Sequence, residues 1–442
     1  MNLKFNDINY QLDTKKITPF QLVIIFICFI LNVVDGMDVL IISYTAPAIA
    51  SFWNISPETL GVVFSSGVLG MAIGALCLAP FADKIGRKKI ILISTIIISF
   101  GVFFTAFSKN IFHLIFLRFL SGIGIGTMLA STVSLVSEYT SNSSKDFWIS
   151  FVLAGYPVGA ILAGYLSNII LLKYSWQYVY IVFGSVSIIL IPVVYYFLSE
   201  SVGFLIKSQP INAITRINKI FDKLKIANIN ALPAYENPSN QIPVNKLFNK
   251  TYVSSTLKLW IAFFFAFVCL YYLISWIPKI VTDLGLSQEL GIYSGTMFNV
   301  GAFLGIITQG YLSSKFGLKR VISVFMILTF ILMTLIQNFI DSDLMLYIFG
   351  ILGFTIQGGF VGLYAVAARI YPPEFRTTGI GWGIGVGRLG AVISPLIGGY
   401  LIGAGLTISQ NFLIFGVTAL VAGIAVYVTS IKNYNMGQRP SK

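Results

Sequence analysis

An all-α membrane protein, with twelve transmembrane helices arranged as two pseudo-symmetric six-helix bundles, is the fold this sequence predicts. Three observations lead there. The 442 residues are 56% hydrophobic and only 10% charged, with a mean hydropathy of +0.85, whereas soluble domains carry roughly 25% charged residues. Twelve apolar stretches, each long enough to cross ~30 Å of hydrocarbon, run through the chain. The chain also weakly repeats itself across a central polar segment.

In order, residues 1–17 form a polar tail, read as a cytoplasmic arm leading into an uncleaved first span, because no small-residue cleavage site follows a short apolar core. The N-terminal bundle, 18–199, holds spans at roughly 20–50, 58–81, 89–108, 111–139, 146–172 and 177–199. A polar linker loop at 200–254, rich in Lys, Asn and Pro, separates the halves. The C-terminal bundle, 255–431, holds spans at roughly 255–281, 290–313, 320–338, 342–370, 376–405 and 409–431, before a tail at 432–442. A porin-like barrel is excluded, since the segments lack alternating polarity and are about twice too long for barrel strands.

The net charge of +13 invites a nucleic-acid reading, but the placement of the cations decides otherwise. Lys109, Lys173 and Lys279 lie on one side, Arg118 and Arg388 lie within spans, and the remaining Lys and Arg lie on the opposite side. Positive-inside bias puts both termini in the cytoplasm of a multi-pass protein of the plasma or inner membrane. The surplus is topological, and no nucleic-acid partner is expected. Cys28, Cys77 and Cys269 sit within apolar spans without paired spacing, and His113 is the sole histidine. Neither a disulfide framework nor a metal or other cofactor site is supported. The bundle pair is expected to work as a monomer.

The repeat is carried by two loops. Asp83-Lys84-Ile85-Gly86-Arg87-Lys88-Lys89 follows span two and Ser314-Lys315-Phe316-Gly317-Leu318-Lys319-Arg320 follows span eight, an offset of 231 residues (314 against 83). Six-span halves related in this way build transporters with a midplane site. The same offset sets Glu138 opposite Arg369, both at span ends. It sets Ala266 opposite Asp35, Phe349 opposite Arg118 and Pro157 opposite Arg388. Those three charges break the repeat, as residues recruited for function would.

Asp35 and Asp38 lie three residues apart in span one, on one helical face. A bare carboxylate in hydrocarbon costs several kcal/mol, and two so close are costly to hold charged together. Taking up a proton removes that cost, so the pair is assigned to proton coupling, with a structural hydrogen-bond or ion-pair role as the plainer alternative. Gly36 between them could loosen the helix and expose a carbonyl. Arg118 in span four and Arg388 in span eleven cannot shed their charge, so each needs an anion: a span-one aspartate or a substrate carboxylate. One arrangement has Arg118 held by an aspartate and Arg388 clamping a carboxylate bidentately; the alternative pairs both internally and leaves a neutral substrate.

Here the sequence resembles the major facilitator superfamily. The Asp83 to Lys89 loop is similar to that superfamily's loop between spans two and three. Asp35-Gly36-Met37-Asp38, the run Arg118 to Gly126, Ser275-Trp276-Ile277-Pro278 through Ser287, and the run Tyr371-Pro372 through Arg376-Thr377-Thr378-Gly379 to Gly387-Arg388-Leu389-Gly390 resemble its aromatic acid:proton symporter family. Departures are Ala79 at the loop's usual first glycine, Ser314 for an aspartate and Leu318 for an arginine in the second copy, and Gly203 for the arginine of a sugar-porter-like run, Glu200 to Leu205. The second-copy changes imply a weakened C-terminal latch.

Asp83, Arg87, Glu138, Arg369, Glu374 and Arg376 cluster at cytoplasmic span ends and are assigned to a gate between the halves, which the matched loop favours for Asp83, Gly86 and Arg87; solvated loop charges are the plainer reading. Glycine runs at Gly122, Gly124 and Gly126 and from Gly379 to Gly387 lie within apolar spans and are read as close helix packing rather than a nucleotide loop. Tyr44, Trp276 and Trp382, with Tyr156 and Tyr364, are candidates for stacking on a planar substrate, although any one of them could be packing. Gln357 is a better pocket candidate, because an amide in lipid wants a partner. With no nucleotide-phosphate loop, metal cluster or nucleophile-base pair, an enzyme is not expected. The reading is a proton-coupled secondary transporter importing a small organic anion, an aromatic or related carboxylate, by alternating access. Carriage of a sugar, an organic cation or another small metabolite, proton-driven export and non-transporting nutrient sensing stay open at this point.

Overall fold

A computed structural model describes residues 17–141, 144–232, 247–338, 344–371 and 376–430. Among them are twelve helices long and apolar enough to cross a membrane: Pro19–Trp53, Pro57–Phe81, Arg87–Thr105, Ile111–Tyr139, Phe147–Leu171 and Trp176–Phe197, then Val253–Asp283, Gln288–Phe316, Leu318–Leu335, Met345–Ile370, Thr378–Gly403 and Ile408–Tyr427. These are spans one to twelve below. No strand occurs among the described residues, so the all-α expectation holds span for span. The arm at 1–16 and the tail at 432–442 lie outside the described residues.

The chain divides into two compact units. Unit one comprises residues up to 41 and 66–239; unit two comprises 42–65 and 240–442. The first part of the linker is helical and belongs to unit one. Val202–Ser208 is capped by the Ser201 hydroxyl, which accepts from the Phe204 N–H at 2.9 Å. Ala213–Leu224 is amphipathic, burying Ile217, Ile220, Phe221 and Leu224.

The repeat is a repeat of contacts as well as residues. In unit one, spans two and four cross where a Cβ added to Gly70, Gly74 or Gly122 would lie under 3.0 Å from the carbonyl oxygen of Phe119, Ile123 or Gly67 respectively. In unit two, spans eight and ten cross at Gly301, Gly305 and Gly353, whose partners are the carbonyls of Gly350, Phe354 and Phe298. Each residue of the second set is 231 positions beyond its counterpart. Small residues let the backbones meet where lipid supplies no hydrophobic drive. Gly159 of span five meets the Val33 carbonyl, and Gly390 of span eleven meets that of Phe264, at the same offset. The loop glycines agree too: Gly86 (φ 106°) and Gly317 (φ 91°) each end one helix and begin the next in backbone conformations that L side chains rarely adopt.

Candidate functional site

Span one places Asp35 and Asp38 inside unit one, 2% and 3% exposed. Arg118 of span four, 3% exposed, donates from Nη1 to Asp38 Oδ1 at 2.6 Å. Its Nη2 donates to Thr105 Oγ1 at 3.3 Å, and its guanidinium carbon lies 5.2 Å from the centre of the Tyr180 ring. The contact is single rather than forked. Arg118 Nε and Asp38 Oδ2 are buried and make no hydrogen bond, so the pair retains unused donor and acceptor capacity. Breaking such a pair strands a buried charge, whereas replacing both partners by apolar groups is often neutral or stabilising. Unit two makes that replacement: the positions 231 residues on are Cys269 and Phe349, both fully buried. The equivalent crossing in unit two packs without such a charge pair.

Gly36 does not loosen span one, which stays helical throughout Pro19–Trp53. A Cβ there would lie under 3.0 Å from the Tyr156 carbonyl oxygen. Gly36 is a packing glycine, and its neighbouring aspartates are carried on a helix pressed backbone to backbone against span five.

At the loop end of unit one, Arg87 pairs with Glu138 and also donates to the Ser134 carbonyl at 3.1 Å. Glu138 accepts from the Ser201 hydroxyl and from the Gly203 N–H at 3.4 Å. Glu200 accepts the backbone N–H groups of Lys88 (3.1 Å) and Ser201 (2.9 Å), and its carbonyl takes the Tyr139 hydroxyl at 2.6 Å. Gly86 leaves room for the Glu200 carboxylate, which a Cβ would strike. These contacts fasten the linker start to spans three and four of the same unit. Glu138→Gln is expected to loosen it, seen as faster amide exchange across Val202–Ser208; unchanged exchange would show the carboxylate is dispensable there. Arg369 is exposed. The side chains of Asp83 and Arg376, and Glu374 altogether, lie outside the described residues.

In unit two, Arg388 is partly exposed and within electrostatic reach of the Tyr364 hydroxyl. Tyr364 packs edge-on to Phe263 and Phe360, at 5.5 and 5.8 Å between ring centres. Gln357, two turns earlier on span ten, buries its Oε1 without a hydrogen-bond partner. Trp276 and Tyr44 are fully buried. The Trp276 indole donates to the Pro395 carbonyl at 3.3 Å and meets Phe64 edge-on; the Tyr44 hydroxyl reaches Thr296 and Asn299. Both rings are packed in unit two. Trp382 is 46% exposed and stacks on Trp260 at 6.0 Å. It shares one stripe with the exposed Leu389, Ile393 and Tyr400, and Arg388 lies about 100° round the helix from Leu389.

The major facilitator superfamily model matches residues 28–310 and 295–441. The chain belongs to that superfamily. It is 30% identical over 422 residues to a gallate transporter of Pseudomonas putida, covering 95% of this chain and 94% of the relative. It is 28% identical to a benzoate transport protein of Acinetobacter baylyi, covering 96% and 92%. A bacterial homologue of the lysosomal transporter Spinster superposes with a TM-score of 0.75 at 16% identity, covering 94% and 97%, and a D-xylose-proton symporter with 0.73 at 16%, covering 92% and 97%; these establish the fold. This superfamily member is a multi-pass cell-membrane transporter rather than an enzyme.

Sequence reasoning did not find Thr105 or Tyr180 beside Arg118, nor Tyr139 and Ser201 at the linker. Thr105 and Tyr180 come from spans three and six, and no local spacing ties them to span four. For Ser201 a signal existed: the acid-serine pair directly follows span six, where a loop must be fastened.

Proposed function

We propose that this superfamily transporter imports a small aromatic carboxylate by alternating access, coupled to protons taken up by Asp35 and Asp38. The observation that carries the reading is the buried Asp38–Arg118 pair, with Asp35 one turn away on the same helix face. Protonation of Asp38 weakens its hold on Arg118, so the charge state of span one controls whether span four carries an unsatisfied cation. Arg388 supplies the guanidinium for the substrate carboxylate, near the aromatic rings around Tyr364. With one proton on the Asp35/Asp38 pair and one carboxylate on Arg388, or with neither, the charges balance; with only one of the two the carrier holds an uncompensated charge, and that state does not reorient. Relatives named for gallate and benzoate transport support an aromatic carboxylate as cargo.

The test is uptake into proteoliposomes under an imposed pH gradient, screened over benzoates, nicotinate, dicarboxylates and hexoses. One pH unit is worth about 1.4 kcal/mol, enough for about tenfold accumulation per proton. Benzoate accumulation above that of protein-free liposomes, into which benzoic acid permeates unaided, is expected, and the excess should collapse with a protonophore. Accumulation indifferent to the protonophore would reject coupling, and uptake of hexoses alone would reject the cargo.

A further inference from the structure

We infer that the basic cluster joining span three to the linker helix Ala213–Leu224 holds the headgroup of an anionic phospholipid. The helix seats Ile217, Ile220, Phe221 and Leu224 inward, which fixes Arg216 and Lys223 on its exposed side. Lys88, in the first turn of span three, is partly buried; its ammonium lies 5.8 Å from the Tyr195 ring centre, and that of Lys223 lies 5.0 Å from Phe20. Arg216 and Lys223 stand close enough to Lys88 for their like charges to act on it. The acid that faces Lys88 is Glu200, and its Oε1 already serves two backbone N–H groups. Tertiary packing therefore gathers three cations where the facing carboxylate of Glu200 is engaged, and Asp222, beside Lys223, accepts from the Asn228 side-chain amide at 3.0 Å.

Positive-inside bias explains why cations lie at this end of the molecule, but not why a packed helix brings them together. A phosphodiester supplies the missing charge. A lipid fits better than a soluble anion because the cluster adjoins exposed Tyr195, Tyr196 and Phe197 at the end of span six, the aromatic signature of headgroup depth. Beyond these rings, spans three and six expose Ile93 and Ile189, an apolar flank for acyl chains.

The experiment measures retention of phosphatidylglycerol against phosphatidylcholine by native mass spectrometry of the purified full chain from nanodiscs. Wild type is expected to keep phosphatidylglycerol selectively. The K88Q/R216Q/K223Q variant should bind it about a hundredfold more weakly, roughly fivefold per cation. A control of equal charge change, K109Q/K173Q/K315Q, should bind as wild type does. Equal binding by the first variant, equal loss in the control, or displacement of the lipid by millimolar inorganic phosphate would each overturn the assignment. Should the triple variant not fold, R216Q and K223Q singly, both on an exposed face, carry the test at about fivefold each.

Discussion

Asp38→Asn is expected to abolish uphill accumulation under a pH gradient. It is also expected to cost about 3–5 kcal/mol of stability, because Arg118 is left as a buried charge without its partner. The two effects are separable. The double variant Asp38→Cys, Arg118→Phe places in unit one the residues unit two uses at the equivalent positions. It should recover most of the lost thermal stability while remaining unable to accumulate substrate. Uptake against a gradient by either variant would remove Asp38 from the coupling mechanism. Failure of the double variant to regain stability would show that unit one, unlike unit two, depends on the ion pair for packing.

Gly301→Ala should be the most damaging single methyl in unit two. The added Cβ would fall under 3.0 Å from the Gly350 carbonyl oxygen, which is backbone and cannot rotate away. Spans eight and ten would have to separate, at a cost of about 3 kcal/mol or more. Gly310→Ala on the same helix meets nothing within 4 Å and should change stability by no more than about 1 kcal/mol, in the stabilising direction. Thermal unfolding in detergent compares the two. Equal midpoints would mean that the seam between spans eight and ten yields easily.

Span number and span limits were readable because hydrocarbon imposes a length and a polarity that composition alone reveals. Span one, expected over 20–50, runs Pro19–Trp53, and span ten, expected over 342–370, runs Met345–Ile370. Asp35, Asp38 and Arg118 were readable for the same reason, since each is a charge where charge is expensive. What hydropathy cannot reveal is direction. An aromatic residue in an apolar helix looks alike whether it faces a neighbour, lipid or a cavity, so Tyr44 and Trp276 read as stacking candidates and prove to be packed within unit two. Trp382, one residue from a buried glycine, turns onto the exposed stripe instead. Partners from distant helices, such as Tyr180, need the tertiary arrangement. The offset of 231 relates Gly70 to Gly301 and Gly122 to Gly353, and it takes the folded chain to show these pairs to be the same crossing made twice.

The backbone seam between spans one and five has a mechanical corollary. With backbones in contact at Gly36 and Gly159, the two helices are expected to travel in tandem in the proposed cycle, so a stroke that repositions the acidic side chains would haul Tyr156 along with them. The matching seam at Gly390 yokes the helix bearing Arg388 to span seven. Under the proposed mechanism, the moving parts of this carrier are helix couples rather than single rods, each bearing some of the charged residues assigned to transport.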